Sequence, residues 1–292
     1  MHLGPRQKPP AVKNHTTVCQ EKAVPSPTDL ILTSRTDDIV TLTFNDEPRR
    51  NAMTEQMGKA FTASVNALAD DDTIRAVVIT GGGSAFSAGG DLDMIAGLAE
   101  EAHAGDARES VGGFMRAFYE LFLSIRSLPV PTLAAINGHA IGAGLCVALA
   151  CDIRYIAKEA KVGLNFTKLG LHPGMGASWT LPRLVGPAVA AELMYSSRII
   201  AGPEAAAMGL ANRCLPAADV LAATHDVARE IAGCSPVAVR SLKKGLAHSP
   251  GADLSTQLDF EASEQAICFE TDDMLEGLAA ARARRAPSFS GR

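Results

Sequence analysis

The chain has 292 residues, enough for one large domain with a helical appendage, and its 47% hydrophobic content is typical of a globular protein with a substantial core. The net charge is -5, and the sequence contains no basic run interleaved with aromatic residues, which excludes a nucleic-acid groove. The sequence also contains no apolar stretch long enough to cross a bilayer, so neither nucleic acid nor membrane is expected as a partner.

The first half of the chain predicts a leader followed by the beginning of an α/β domain. Residues 1–27 contain five prolines and no apolar stretch, which predicts a disordered leader and not a signal peptide. The β-branched alternation over residues 39–44 predicts a strand. Apolar residues at helical spacing over 54–68 predict a helix with Thr54 as its N-cap. A short buried strand at 76–80 then ends in a run of three glycines.

The same order of elements then repeats. A buried strand at 132–136 leads through a glycine turn into a helix of small residues at 142–150 and a strand at 153–157. Strand, turn, helix and strand in this order indicate βαβ units with parallel strands. Between the two units, residues 97–113 are rich in alanine, glycine and glutamate and predict a mobile flap.

Beyond about Ala188 the pattern is helical. This region has too little core of its own to fold alone, so we expect it to pack on another subunit. The chain is thereby divided into the leader, a core over residues 28–217 and a helical oligomerisation region over 218–292. The predicted helices cover residues 187–197, 203–208, 218–232, 236–247, 252–269 and 272–284.

The six cysteines are scattered, and none forms a CxxC pair. Their spacing fits neither a zinc site nor a disulfide framework, so no metal site is predicted. Scattered thiols in a chain of this size are typical of a reducing compartment, and a cytoplasmic location is expected.

Two glycine-rich turns, residues 85–92 and 137–144, are the main candidates for chemistry. Each follows a buried strand and precedes a predicted helix, where glycine lets N–H groups point outward and the helix adds partial positive charge. Two such turns facing one another would supply two donors to one oxygen, an oxyanion hole worth roughly 3 kcal/mol per donor. Alone the signal is weak, since neither turn matches a dinucleotide or P-loop motif and the chain has no GxSxG elbow.

A series of motifs, in order from about residue 30 to residue 289, resembles the enoyl-CoA hydratase/isomerase (crotonase) superfamily. Their number and order make the resemblance specific, unlike any single one of them. The motifs are Phe86–Leu92, Pro131–Gly144, Cys151–Arg154, Leu169–Gly176, Leu181–Gly186 and Asp272–Leu278.

The resemblance implies an α/β fold with a crotonase-like ββα spiral core and a C-terminal helical trimerisation region, assembled as a homotrimer or hexamer. It also implies an acyl-CoA thioester as substrate, with no cofactor bound permanently. The oxyanion donors fall on the N–H groups of Gly90 and Ala143. The residues that match family positions along the CoA moiety or bordering its pocket are Arg50, Ala52, Ala88, Leu92, Phe166, Gly174, Arg284 and Phe289.

The pattern breaks at the acid–base positions. Hydratases of this family use two glutamates, one as base for the water and one as acid for Cα, and the matching positions here are Cys146 and Phe166. A phenylalanine cannot transfer a proton, and a buried cysteine is more often a small hydrophobe than a catalyst. His172 would serve either as a substitute base or as a loop histidine bonding a backbone carbonyl. Tyr119, in the helix before the second turn, is assigned to the core in preference to the acyl pocket.

Three functional hypotheses follow. The first is an acyl-CoA enzyme of the hydratase/isomerase group that stabilises a thioester enolate. The second is a non-catalytic acyl-CoA-binding protein on the same scaffold. The third is a different reaction of the superfamily, such as isomerisation, decarboxylation, dehalogenation or thioester hydrolysis, with His172 or a flap residue as the acid or base.

Overall fold

The structure is a computed structural model that describes residues 30–105 and 107–292. The predicted leader, residues 1–27, lies outside the described residues, as does Asp106 of the predicted flap. The strands in chain order are β1 (Ile31–Thr36), β2 (Ile39–Phe44), β3 (Ala76–Gly81), β4 (Ala85–Ser87), β5 (Thr132–Ile136), β6 (His139–Ile141), β7 (Ile153–Ala157), β8 (Lys161–Gly163), β9 (Ile200–Ala201) and β10 (Arg213–Leu215).

Eleven α-helices follow or connect these strands in the described residues. The helices are α1 (Glu55–Ala69), α2 (Leu92–Ala104), α3 (Arg108–Leu123), α4 (Ala143–Ala150), α5 (Ala177–Val185), α6 (Pro187–Ser196), α7 (Gly202–Ala207), α8 (Ala217–Ala232), α9 (Pro236–His248), α10 (Leu254–Phe269) and α11 (Asp272–Ala283).

The strands form two sheets. The larger has the order β1-β2-β3-β5-β7-β10, and all its pairs are parallel except β1 with β2. The smaller has the order β4-β6-β8-β9, with only the last pair antiparallel. The parallel pairing of β3 with β5 and of β5 with β7 confirms the predicted α/β class.

The predicted strands and helices are confirmed to within about two residues at their ends. Helix α1 shows why the spacing of apolar residues predicts a helix. Met57, Phe61 and Val65 repeat at helical spacing and are fully buried, while the Thr54 side chain accepts the Met57 N–H. Burying each such side chain contributes roughly 1.5–3 kcal/mol.

The segment 97–113, predicted as a mobile flap, is helical in this structure. The end of α2 and the start of α3 occupy it, and no residue of α2 is buried. Helix α2 ends at Ala104 and α3 begins at Arg108.

Helix α4 lies in the centre of the core, and all eight of its residues are buried. It has no polar face, which requires other elements to cover every side of it. Its alanines and glycine allow the turns of the smaller sheet to approach it closely. The helix that starts at the second glycine turn is therefore held rigidly.

The C-terminal helices divide into two groups. Helix α8 packs on the larger sheet and buries Val220, Thr224 and Ala228. The first helix of the region predicted for oligomerisation is therefore part of the core. Helices α9, α10 and α11 instead leave many apolar side chains in solvent. These are Leu242, Leu246, Leu254, Leu258, Ile267, Phe269, Leu275 and Leu278.

The last eight residues, 285–292, form a tail that folds back on α11. The buried Asp273 carboxylate accepts hydrogen bonds from the Ser290 N–H at 2.7 Å and the Gly291 N–H at 3.1 Å, and from the Ser235 hydroxyl at 2.9 Å. Glu276 pairs with Arg285 at 2.6 Å. The tail is thus fixed to the helices by charge-assisted hydrogen bonds.

Candidate functional site

The first glycine turn is held by a neighbouring stretch of backbone, residues 50–53. The Ala88 N–H donates to the Arg50 carbonyl at 2.8 Å, and the Met53 N–H donates to the Gly89 carbonyl at 2.7 Å. These contacts are those of a short parallel pairing, so the two segments run side by side. They bring Arg50, Ala52 and Ala88 together.

Two polar side chains within the turn fix its shape. The Ser87 hydroxyl donates to the Asn51 carbonyl at 2.7 Å and accepts the Gly89 N–H at 3.1 Å. The Asp91 carboxylate accepts the Met94 N–H at 2.9 Å and so caps α2. Neither Ser87 nor Asn51 was assigned a role from sequence, although Ser87 lies inside the motif.

The second turn joins β6 to α4. Pairing of Ile141 with Gly163 places it beside β8, and the Gly142 N–H donates to the Gly163 carbonyl at 2.8 Å. Gly142 then adopts a φ of 51°, a region that favours glycine, and Ala143 is the first residue of the helix. The Ala143 N–H therefore stands at a helix N-terminus, where backbone donors have no intrahelical partner.

The two turns meet. A Cβ on Gly89 would lie 2.6 Å from the Ile141 carbonyl oxygen and 3.8 Å from the Ala143 nitrogen. A Cβ on Gly144 would lie 2.5 Å from the Ser87 Cβ, so only glycine permits the approach at either position.

The N–H groups of Gly90 and Ala143, here called the donor pair, lie at this meeting point. Within residues 30–105 and 107–292 neither N–H has a hydrogen-bond acceptor. Two free backbone donors at one junction are suited to binding a single oxygen, more strongly as that oxygen gains negative charge.

The fold places the residues predicted along the CoA moiety in two separate regions. Ala88 and Leu92 are exposed beside the first turn, with Leu92 at 65% exposure, while Ala52 is largely buried under it. Arg284 and Phe289 are not brought to the donor pair within this chain. The Phe289 carbonyl accepts from Arg75, next to the start of β3, whereas the first glycine turn follows the end of that strand.

Cys146 is enclosed. Its exposed fraction is 2%, and its thiol lies 3.8 Å from the Gly174 carbonyl oxygen. Burial raises the pKa of the Cys146 thiol to about 12, because the thiolate would lose its hydration. At neutral pH the group is a neutral thiol, which favours its interpretation as a small buried hydrophobe.

Phe166 lies beside the second turn. A Cβ on Gly142 would come within 3.8 Å of the Phe166 Cζ and 3.2 Å of the Asn165 Oδ1. The ring thus supplies an apolar wall next to the donor pair, and the amide supplies a polar atom that the sequence reasoning missed. The signal for Asn165 is its place just after β8, whose register with β6 brings it to the turn.

His172 is exposed, and its Nδ1 lies 2.8 Å from the Pro173 carbonyl oxygen. This is the contact of a loop histidine that bonds its own backbone, one of its two interpretations. Its catalytic role stays a prediction.

Two hollows lie away from the donor pair. One, with no room for a water molecule, is lined by Arg75, Val130 and Arg240, near the start of β3. The other, of about 10 Å³, lies among Leu145, Leu181 and neighbouring side chains. The donor pair lines neither of them. A ligand would therefore reach the donor pair from the exposed side of the first turn, where Ala88 and Leu92 lie.

The family can now be tested by comparison. The family model described as "Enoyl-CoA hydratase/isomerase" matches residues 34–292. The chain belongs to the enoyl-CoA hydratase/isomerase family. It is 38% identical over 258 residues to the mitochondrial methylglutaconyl-CoA hydratase of Mus musculus, covering 87% of this chain and 80% of that protein.

Two further relatives agree with this assignment. The crotonyl-CoA hydratase of Syntrophomonas wolfei is 31% identical, covering 89% of this chain and 97% of its own length. The crystal structure of the enoyl-CoA hydratase from Bacillus anthracis superposes with a TM-score of 0.82 at 33% identity, covering 90% of this chain and all of that one. The crotonase fold predicted from the motifs is therefore confirmed, and the chain belongs to a family of acyl-CoA enzymes.

Within residues 30–105 and 107–292, no group of three or more His, Cys, Asp or Glu side chains is arranged to hold a metal ion. In the same part of the chain, no helix is long and apolar enough to cross a membrane.

Proposed function

We propose that this protein binds an acyl-CoA thioester and polarises its carbonyl between the N–H groups of Gly90 and Ala143. The observation that carries the proposal is the meeting of the two glycine turns, with both donors free among the described residues. Developing negative charge on the oxygen would be stabilised by both donors and by the N-terminus of α4.

The surface that would hold the CoA moiety is formed by Arg50, Ala52, Ala88 and Leu92, with Phe166 and Gly174 bordering the acyl group. Backbone pairing of residues 50–53 with the first turn brings the first three together. In this proposal the thioester arrives as substrate and no cofactor stays bound.

In this chain, polarisation of the carbonyl is not expected to be followed by efficient hydration of a double bond. Adding water across a double bond needs a base for the water and an acid for Cα, and each such group contributes roughly 10²–10⁴-fold. Phe166 carries no proton, and the Cys146 thiol, with its pKa raised to about 12 by burial, is a poor base at neutral pH. The proposed reaction is therefore one that needs the thioester enolate stabilised but takes its acid or base from elsewhere.

The test uses crotonyl-CoA hydration beside a binding measurement. We expect the natural protein to bind butyryl-CoA by calorimetry while hydrating crotonyl-CoA slowly. The double variant Cys146→Glu/Phe166→Glu should hydrate it at least about 100-fold faster, because it restores both carboxylates. Failure to bind CoA or any acyl-CoA would overturn the function, and rapid hydration by the natural protein would overturn the argument from Cys146 and Phe166.

A second candidate is a non-catalytic acyl-CoA-binding protein, favoured by the same two residues. Incubation with a panel of saturated, unsaturated and carboxylated acyl-CoAs, followed by mass spectrometry, separates the two. A binding protein leaves every thioester unchanged. Isomerisation, decarboxylation, dehalogenation and thioester hydrolysis each give a product of different mass or retention time. If His172 supplies the acid or base, the product disappears in His172→Ala.

We further propose that the protein is a homotrimer or a hexamer. The support is the set of exposed leucine, isoleucine and phenylalanine side chains on α9, α10 and α11, which an interface between subunits would cover. Sedimentation velocity should give three or six chains, and Leu246→Asp combined with Leu258→Asp should shift the distribution toward monomer. A monomeric natural protein would contradict this.

A cytoplasmic location is proposed from the thiols. The five described cysteines are all free, which suits a reducing compartment. Fractionation of the source cells, with detection by antibody, tests it. The five are Cys146, Cys151, Cys214, Cys234 and Cys268.

A further inference from the structure

Tyr119 lies at the edge of the core and not inside it. It belongs to α3, is about half-buried, and its ring rests on the backbone of Gly174. A Cβ on Gly174 would lie 2.6 Å from the Tyr119 hydroxyl and 2.7 Å from its Cζ. Gly174 has no positive φ, so glycine is needed there to make room for the phenol.

The backbone of Gly174 connects Tyr119 to the donor pair. Its carbonyl oxygen is the group that the Cys146 thiol approaches at 3.8 Å. Cys146 follows Ala143 by three residues on α4 and so shares its face of the helix. The Tyr119 hydroxyl, the Cys146 thiol and the Ala143 N–H therefore follow one wall. Residues 143 and 146 are separated by roughly 4.5 Å along the helix axis.

The hydroxyl is a free donor in partly apolar surroundings. Within residues 30–105 and 107–292 it has no hydrogen-bond partner. Burial, and to a smaller extent the Cys146 thiol, raise the pKa of the Tyr119 phenol above its ordinary value, so the group keeps its proton at neutral pH. The hydroxyl is not one of the fully buried polar atoms that lack a partner, so it is open to solvent and can donate to a ligand acceptor.

We propose that the Tyr119 hydroxyl donates a hydrogen bond to an oxygen on the acyl chain, so that the preferred substrate is a short acyl-CoA bearing a hydroxyl, oxo or carboxylate group. This rests on the proposed function, since the thioester must be held by the donor pair for its chain to reach Tyr119. Tyr119 is then a specificity-determining residue. The sequence-based assignment of Tyr119 to the core, with no part in the acyl pocket, is revised accordingly.

The experiment measures a preference and not a single affinity. Calorimetry compares butyryl-CoA with 3-hydroxybutyryl-, acetoacetyl-, succinyl- and glutaryl-CoA. At least one oxygenated chain should bind the natural protein about tenfold more tightly than butyryl-CoA, the effect of one hydrogen bond. Tyr119→Phe should abolish the preference, so that butyryl-CoA and the oxygenated chains bind this variant with affinities within about threefold of one another.

Two further variants sharpen the result. Tyr195→Phe removes a hydroxyl from a side chain that is 81% exposed, and the preference should remain. Gly174→Ala should push the phenol aside and remove the preference while Tyr119 is still present. The proposal is overturned if no oxygenated chain is preferred, or if the preference survives in Tyr119→Phe. If butyryl-CoA itself does not bind, the proposed function fails as well, so the two failures are distinguishable.

Discussion

Replacing Ala143 with proline removes one member of the donor pair with little other change. Ala143 is the first residue of α4, where proline is well tolerated because its missing N–H has no helical partner. Gly142, which precedes it, has φ 51° and ψ -119° and lies outside the right-handed helical region that a following proline disfavours. The hydrogen bond from the Gly142 N–H to Gly163 is untouched.

The expected loss follows from the role of a single donor. One oxyanion donor contributes about 2.7–4 kcal/mol, or roughly 10²–10³-fold, to stabilising the charged oxygen. The ring of proline would also occupy the space in front of the lost N–H, so the loss in Ala143→Pro should reach the upper end of this range. Ala143→Gly keeps the N–H and should lose little.

The assay follows the enolate of acetoacetyl-CoA by its ultraviolet absorbance as protein is added. The natural protein and Ala143→Gly should bind the enolate tightly, and Ala143→Pro should bind it roughly 10²–10³-fold more weakly. Thermal unfolding of all three proteins controls for damage to the fold. Enolate affinity in Ala143→Pro within about threefold of the natural protein would refute the reasoning, because the donor pair would then not hold the oxygen.

Three other predictions test the surroundings of the site. Gly144→Ala should destabilise the protein by about 1–3 kcal/mol in urea unfolding, because its Cβ would lie 2.5 Å from the Ser87 Cβ. The control Gly113→Ala, in an open part of α3, should stabilise by about 0.5–1 kcal/mol, and equal effects would contradict the packing argument. Asp273→Ala should lower stability by about 2 kcal/mol and make the tail susceptible to proteolysis, whereas an intact tail would show that other contacts hold it. Burial raises the pKa of Cys146 from 9.0 to about 12, so the unfolded state loses this proton first and stability should fall as pH rises above about 9. In Cys146→Ala the free energy of unfolding should fall less steeply with pH, by about 1.4 kcal/mol per pH unit. Parallel stability curves for the natural protein and the variant would contradict the burial of Cys146.

Sequence reasoning found the two glycine turns because their signals are local, whereas the choice of the Gly90 and Ala143 N–H groups within them came from the family resemblance. A glycine turn between a buried strand and a helix is visible in the order of residues, and the N-caps at Thr54 and Asp91 follow from short-range rules. The long strands β2, β5 and β7 are predicted for the same reason, since their apolar content is continuous or alternating.

What could not be predicted depends on contacts between distant segments. The two-residue strand β9 and the three-residue strands β4, β6 and β8 exist only through their pairing in the smaller sheet. Helix α2 buries no residue and its second half is rich in alanine and glutamate, and this part was predicted as a flap. The place of Tyr119 depends on a loop more than fifty residues further along the chain, at Gly174.

The position of the C-terminal tail also depends on contacts between distant segments. Arg284 and Phe289 match family positions near CoA, yet within one chain the tail is fixed at the start of β3 by Arg75 and Asp273. Sequence order gives no information on which end of a strand a distant tail reaches. If these two residues contact CoA, they do so in the proposed oligomer, on a neighbouring subunit.

The carbonyl stretching frequency of butyryl-CoA labelled with ¹³C at the thioester carbon tests the central claim most directly. Two hydrogen bonds to the oxygen weaken the C=O bond, so the infrared band should move to lower frequency when the thioester binds the natural protein. The shift should be largely lost in Ala143→Pro and retained in Ala143→Gly. A bound thioester whose carbonyl band stays at its position in water would contradict the claim that Gly90 and Ala143 polarise it.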